Sequence, residues 1–173
     1  DQAHSLLWGW YGGMEGGNAY ARVLFGEVNP GGKMPITLPE KLEHTAPIAL
    51  NDYNGIDSYY REGVFIGYRW FEQQGITPTF PFGHGLSYTT FELSDLHLPS
   101  KVLASDGNIT VSVDVKNTGK VAGAEVVQVY LGDELASVDR PVKELKGFSK
   151  VFLKPGESRT VSIQLTKRDL AFW

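Results

Sequence analysis

Apolar positions recur with a period of two in the second half of the chain, and no comparable alternation runs through the first half. Ile109, Val111, Val113 and Val115 alternate with Thr110, Ser112 and Asp114, the pattern of a strand with one buried face. Residues 124–131 predict a second, more apolar strand, and residues 147–153 a third. A fourth is predicted over 159–165, where Val161, Ile163 and Leu165 alternate again, and another precedes them all over 92–98. Turn signals separate these runs, at residues 116–120 and at Lys154-Pro155-Gly156-Glu157. Thr166 and Asp169 have the spacing of a capped helical turn. Short strands with regular turns predict a β-sandwich of immunoglobulin or fibronectin type III kind. The predicted strands fall roughly two short of the seven such a sandwich has, so the sandwich is expected to be incomplete.

The first half reads differently. Residues 5–11 form a short apolar, aromatic run that ends at Gly12-Gly13 and predicts a buried strand. Ala19 and Val23, and Tyr20 and Leu24, repeat four apart, which predicts a helix over 19–25 with Gly26 at its C-terminal cap. Strand, glycine loop and helix make half of a βαβ unit. Asn29-Pro30-Gly31-Gly32 predicts a type II turn, and 33–39 an extended edge segment with two prolines. Residues 40–58 show no clear period and are expected to run over a surface. Residues 59–71, rich in aromatics, predict a strand or an extended packing arm, and 72–79 a loop. Residues 80–91, with Pro81, Gly83, His84 and Gly85, cannot be a helix and predict a rigid junction between two units. Pro81, Phe82 and Tyr88 are expected to be buried there against both flanking units.

Composition narrows the function classes. The 173 residues suffice for one ordinary domain, or a small domain with part of another. With 42% apolar residues the chain can build a packed core. A net charge of −4, without a basic cluster, argues against nucleic acid and anionic membrane as partners. No apolar run approaches the length of a membrane span. The lack of cysteine removes disulfides, thiolate zinc sites and cysteine nucleophiles, and fits either side of a cell membrane. The start, Asp1-Gln2-Ala3-His4, carries neither initiator Met nor signal pattern and reads as the interior of a longer protein.

Candidate chemistry is sparse. The loop Gly12-Gly13-Met14-Glu15-Gly16-Gly17-Asn18 could offer backbone N–H groups to a phosphate, but it lacks the Lys-Ser/Thr of a P-loop and the GxGxxG spacing. A tight turn that lets strand and helix pack closely is the plainer reading. Glu15 follows Trp10 and Tyr11, and a carboxylate near aromatic walls is one setting for a glycosidase acid. The plainer reading is a carboxylate at a helix N-terminus, and a glycosidase needs a second carboxylate at a set distance. His4, His44, His84 and His97 show no ligand spacing, and His84 is expected to hydrogen-bond across the junction. Asn51-Asp52-Tyr53-Asn54-Gly55-Ile56-Asp57 places oxygen ligands as a calcium loop does, without the closing Glu, so a solvated turn is favoured. Trp8, Trp10, Tyr59, Tyr60, Tyr68, Trp70 and Phe71 could stack on sugars, although core packing is the commoner use. Asn108-Ile109-Thr110 is a glycosylation sequon, meaningful only in a eukaryotic secreted protein.

Several motifs together carry a resemblance. Trp10-Tyr11-Gly12-Gly13-Met14-Glu15-Gly16-Gly17-Asn18-Ala19, followed by Val23-Leu24-Phe25-Gly26-Glu27-Val28-Asn29-Pro30-Gly31-Gly32-Lys33-Met34-Pro35, resembles the late part of the second domain of family-three glycoside hydrolases, chiefly β-glucosidases and β-xylosidases. Glu62-Gly63-Val64-Phe65-Ile66-Gly67-Tyr68-Arg69 and Pro81-Phe82-Gly83-His84-Gly85-Leu86-Ser87-Tyr88 are similar to two further signatures of that family. The region after Phe91, including Asn117-Thr118-Gly119 and 123–130, resembles its fibronectin type III-like domain. The family usually has Pro-Gly-Gln-Glu where this chain has Gly12-Gly13-Met14-Glu15.

The resemblance implies a mixed fold: the C-terminal piece of a three-layer α/β domain, then an incomplete all-β, immunoglobulin-like sandwich of fibronectin type III kind. It divides the chain into the end of the α/β domain (1–50), an aromatic-rich linker and junction (51–91) and the sandwich (92–173), with closing strands beyond Trp173 missing. The family's aspartate nucleophile and acid/base glutamate have no counterpart motif here, and Glu15 aligns with a non-catalytic position. No catalytic residue, metal or cofactor is therefore expected in this chain, and Trp10 and Glu15 are left as its substrate-binding candidates. The implied parent is a retaining enzyme that removes terminal β-linked glucose or xylose from oligosaccharides and glycosides. Its expected partners are that substrate and the remaining polypeptide, with homo-oligomerisation open. The alternative is a self-standing β-sandwich module that binds carbohydrate or protein without catalysis.

Overall fold

The computed structural model describes residues 3–53, 55–98 and 107–171. Asn54 of the oxygen-rich loop and Trp173 lie outside the described residues. The chain is a piece of an α/β unit, which among the described residues contributes helices and the isolated bridges Leu38–Phe80 and Tyr53–Ser58 but no strand, followed by an incomplete β-sandwich. Among the described residues no helix is long and apolar enough to cross a membrane.

The sandwich has two antiparallel sheets. β1 (Phe91–His97), β2 (Asn108–Asn117) and β5 (Ser158–Thr166) form one, in the order β1-β2-β5, and β3 (Gly123–Leu131) and β4 (Glu144–Leu153) form the other. The period-two positions do what they predict. Val111 pairs with Ile163 and Val113 with Val161, so both strands present branched side chains on one face. That face packs with Val127, Val151 and Leu153 of the opposite sheet into one core. Gly147 lets the sheets approach closely, since a Cβ there would stand 2.6 Å from Ile163 Cγ2. The capped turn after β5 is present: Thr166 N–H and hydroxyl both donate to Asp169 Oδ2 at 2.7 Å, opening α4 (Lys167–Leu170). Among the described residues the second edge of β3 has no partner strand. A cavity of about 380 Å³ opens there between the sheets, lined by Leu93, Val111, Val113, Val127, Val129 and Ile163.

The first half departs from several sequence expectations. Residues 5–11 are not a buried strand. They follow no regular element, and Leu6, Trp8 and Tyr11 are exposed, because no described strand lies alongside to pair with them. The helix α1 (Gly16–Leu24) starts earlier than predicted and ends as expected, with Gly26 at φ 76° and its N–H on the Val23 carbonyl. Its repeat does not form a buried stripe, for only Gly16 is buried and Leu24 is exposed. Asn29 to Gly32 is not a type II turn, since Gly31 does not take the positive φ that turn requires. Residues 40–58 contain a 3₁₀ turn (Leu42–His44) and the short helix α2 (Ala46–Ala49), opened by Pro47 in its first turn. Within 59–71 and just beyond lies α3 (Tyr68–Gln73), a helix rather than a strand or arm. Helical geometry buries Trp70 and Phe71 against Ala46, with Leu50, Phe65 and Ile76 around them, and this packing outweighs the aromatic preference for strands.

Charge and aromatic contacts join α3 to the sandwich. The Tyr68 ring stacks on Phe82 at 4.8 Å, meets Tyr130 edge-on at 5.9 Å, and its hydroxyl oxygen accepts the Leu145 N–H at 2.8 Å. Glu144 pairs with Arg140 at 2.8 Å and with Arg69 and Lys146 at 3.4 Å each, while Lys143 meets Glu72 at 2.7 Å. Burial pushes the Glu144 carboxyl up, but hydrogen bonds from Arg140 and Lys146 and the charge of Arg69 outweigh it and hold the group below its ordinary value.

Two outcomes are expected. Leu153, completely buried, fills the inter-sheet core, so Leu153→Ala should cost about 2–5 kcal/mol in urea unfolding, whereas the exposed Leu135→Ala should change stability by less than about 0.5 kcal/mol. A carboxylate with a lowered folded pKa contributes stability above its unfolded value and loses it as pH falls through the folded one. Glu144→Gln should therefore flatten the acid limb of a stability-versus-pH profile, and an unchanged limb would show that Glu144 carries none of it.

Candidate functional site

The glycine-rich loop is built by close approach. A Cβ at Gly12 would stand 2.7 Å from Gly16 Cα, and one at Gly9 would run into the Tyr20 ring. Tyr20, on α1, donates its hydroxyl to the carbonyls of Gly9 at 2.8 Å and Trp10 at 3.2 Å. These bonds hold Trp10 at φ 51°, a left-handed backbone uncommon for a bulky residue. Trp10 is 51% exposed, and its ring meets Trp8 edge-on at 5.7 Å. Glu15 occupies the N-cap position of α1, and its Oε2 accepts from Asn18 Nδ2 at 2.6 Å. The structure thus brings Trp10 and Glu15 to either end of one short loop. Glu15 is engaged by an amide of its own helix, with no second carboxylate among its partners.

The oxygen-rich loop is organised by an internal cation. Asp52 is buried, pairs with the Arg61 guanidinium and accepts the Arg61 backbone N–H at 3.0 Å. Among the described residues no group of three His, Asp or Glu side chains could hold a metal ion. His44 contributes its backbone carbonyl, which accepts Trp70 Nε1 at 3.0 Å. Asn108 of the sequon is exposed at the first position of β2.

The densest set of long-range polar contacts lies between the α/β unit, the 80–91 junction and the sandwich. Asn29 Oδ1 accepts from Ser87 Oγ and Tyr88 N–H at 2.8 Å each, and its Nδ2 donates to the Ala122 carbonyl at 3.1 Å. Lys33 Nζ donates to the Gly85 carbonyl at 2.8 Å and pairs with Glu125 at 2.7 Å. Gln128 Nε2 donates to the Gly83 carbonyl at 3.2 Å. Backbone bonds add Met34 N–H to the His84 carbonyl and Gly83 N–H to the Met34 carbonyl, both 2.7 Å. Gly85 and Gly123 leave no room for a side chain, since a Cβ would collide with the Gly32 carbonyl and with Asn29 respectively, and at Gly31 one would press on Ala124 at 3.1 Å.

The expectation for the junction needs correction. Pro81 is exposed, Phe82 is half-buried on Tyr68, and Tyr88 is 49% exposed, with its hydroxyl donating to the Val23 carbonyl at 2.8 Å. The seam is held by polar contacts and glycine approach more than by buried aromatics. His84 crosses it through its backbone, while its ring lies 5.5 Å from Phe80. Sequence reasoning missed Asn29, Lys33, Asn117, Glu125 and Gln128. A usable signal existed for one of them, because Asn117 is in phase with Val111, Val113 and Val115 and so falls on the core face.

Comparison with known proteins bears on the whole of this arrangement. Residues 1–88 match the family model of the glycosyl hydrolase family 3 C-terminal domain, and residues 125–173 that of the fibronectin type III-like domain. Thermostable beta-glucosidase B of Acetivibrio thermocellus is 53% identical over all of this chain, which covers 23% of that protein. The crystal structure of DesR, a β-glucosidase from Streptomyces venezuelae in complex with D-glucose, is 43% identical with a TM-score of 0.87, over 95% of this chain and 21% of that one. The β-glucosidase of Kluyveromyces marxianus in complex with glucose is 50% identical with a TM-score of 0.80, over 91% of this chain and 18% of that one. The chain thus spans only about a fifth of the length of each of these proteins. From the seam to the inner face of the sandwich, the chain belongs to glycosyl hydrolase family 3, as its C-terminal part.

Proposed function

We propose that this chain is the scaffolding C-terminal portion of a longer β-glucosidase. That enzyme would remove terminal β-linked glucose, or xylose, from oligosaccharides and glycosides. The observation that carries this reading is the 53% identity, over the full chain, to a protein named as a β-glucosidase of which the chain covers 23%. The reaction would be a double displacement through a covalent glycosyl-enzyme, with an aspartate nucleophile and a glutamate acid/base in the remaining polypeptide. Three carboxylates of this chain support that division of labour. Glu15 is bound to Asn18, Asp52 to Arg61, and Glu144 to three cations. Exposed Leu6, Trp8, Tyr11, Leu24 and Phe25 on the α/β unit support burial of that surface against the rest of the polypeptide.

The proposed division of the chain is 1–50 as the end of the α/β domain, 51–91 as linker and junction, and 92–173 as the sandwich. The seam would then act by fixing the sandwich against the catalytic region. Hydrolysis of an aryl β-glucoside by the full-length polypeptide, and none by this chain at the same molar concentration, is the expected result. Turnover by the chain alone that disappears in Glu15→Gln would overturn the assignment and move the acid to Glu15.

A further inference from the structure

The outer face of β4 carries two exposed phenyl rings. Along β4, side chains alternate between the core and the opposite face. Val151 and Leu153 point into the core, while Phe148, Lys150 and Phe152 share the outer face. Phe148 is 69% exposed and Phe152 58%. The rings stand four residues apart on one strand, so their separation is about 13 Å. Lys150 lies between them on the strand, opposite Val126 of β3, so a charged group interrupts the apolar face along β4. Beside Phe152, the β4–β5 turn forms a shallow depression lined by Lys154, Pro155, Gly156, Glu157 and Arg159. Glu157 Oε1 accepts from Arg159 at 2.9 Å and Oε2 from the Lys154 N–H at 2.9 Å, which fixes a carboxylate and a guanidinium next to an exposed ring.

Separated apolar faces with charged, planar hydrogen-bonding groups at their edges match one class of ligand. A pyranose ring has an apolar C–H face and a rim of hydroxyls, and an extended chain of such rings repeats that face at intervals. Phenyl rings stack on the faces, and Lys, Glu and Arg bond the hydroxyls. The geometry points to a glycan-binding platform on the sandwich, formed by Phe148 and Phe152 with Lys150, Glu157 and Arg159, that holds an extended β-linked glucan. The choice of a β-linked glucan rests on the proposed β-glucosidase function, whereas the platform itself rests on the residues of β4 and its turn. It would keep a polymeric substrate beside the enzyme without touching the reacting bond.

Native affinity electrophoresis, run on the full-length polypeptide and on this chain, tests the platform with soluble barley β-glucan in the gel and α-linked dextran as the control. Retardation is expected in β-glucan and not in dextran. Phe148→Ala and Phe152→Ala should each weaken it by about five- to tenfold, and the pair should abolish it in the isolated chain. Leu135→Ala, exposed on another loop, should bind as the parent does. In the full-length polypeptide the double variant should raise KM for the polymer and leave hydrolysis of an aryl β-glucoside unchanged. Absent hydrolysis with β-glucan retardation intact would defeat the proposed activity and leave the platform standing. Equal retardation of the double variant and parent, equal retardation in dextran, or no retardation of either parent form would overturn the platform. A double variant that changes only the sedimentation of the protein, with glucan binding intact, would reassign the face to self-association and overturn it as well.

Discussion

Asn117 sits fully buried at the end of β2, and all of its side-chain hydrogen-bonding capacity is used. Its Oδ1 accepts from Thr89 Oγ1 at 2.7 Å and the Gly119 N–H at 3.0 Å, and its Nδ2 donates to the carbonyls of Val121 at 2.9 Å and Leu153 at 3.0 Å. One amide therefore ties the junction, the β2–β3 turn and the end of β4 together. A buried polar group deprived of its partner costs about 1–3 kcal/mol. Several backbone groups depend on this single residue, so its loss would leave them unpaired at this end of the sandwich. Thr89 inherits a fixed position from it, and the junction leaves the sandwich in a set direction.

The seam extends the same logic. Asn29 reads the junction on one side and Ala122 on the other, so it measures the distance between the two units. The Lys33–Glu125 pair is largely shielded from water, a situation in which desolvation can cancel the attraction. Here the ammonium also donates to Gly85, so its remaining bonding capacity is not wasted. The glycines set how near the backbones come, and the polar groups set their register. The tyrosines contribute through their hydroxyls as much as their rings: Tyr68 accepts from Leu145 and Tyr88 donates to Val23.

The β half was legible in the sequence because its signal is local. A period of two with branched residues admits one extended structure and one buried face, and all predicted strands appear to within a few residues. The start of β4 at Glu144 was missed, since Leu145 and Lys146 precede the apolar run. The α half was less legible. Aromatic content at 59–71 suggested extension, yet Trp70 and Phe71 are buried from a helix against Ala46, a contact set by tertiary packing. Exposure of 5–11 depends on what lies alongside, which an apolar run does not encode. The glycines of 29–32 were read for backbone freedom, whereas Gly31 serves the close approach of Ala124. At the glycine loop, the plainer reading of close packing agrees with the contacts of Tyr20, Gly9 and Gly12.

Among the described residues one side of β3 has no partner strand, which leaves a border open to a second copy of the chain. The nine residues of β3 contain one charged side chain, Glu125, and that charge is engaged by Lys33. Natural sheets protect such borders with free lysines, prolines or bulges. β3 has one irregularity, between Val129 and Tyr130, and it lies near the far end of the strand. Glu125 Oε1 accepts the Val126 N–H at 2.8 Å, and the rest of the border lies beside an open apolar cleft with no free charge to turn a neighbouring molecule away. Pairing with a second copy along that border is the association its residues do least to oppose.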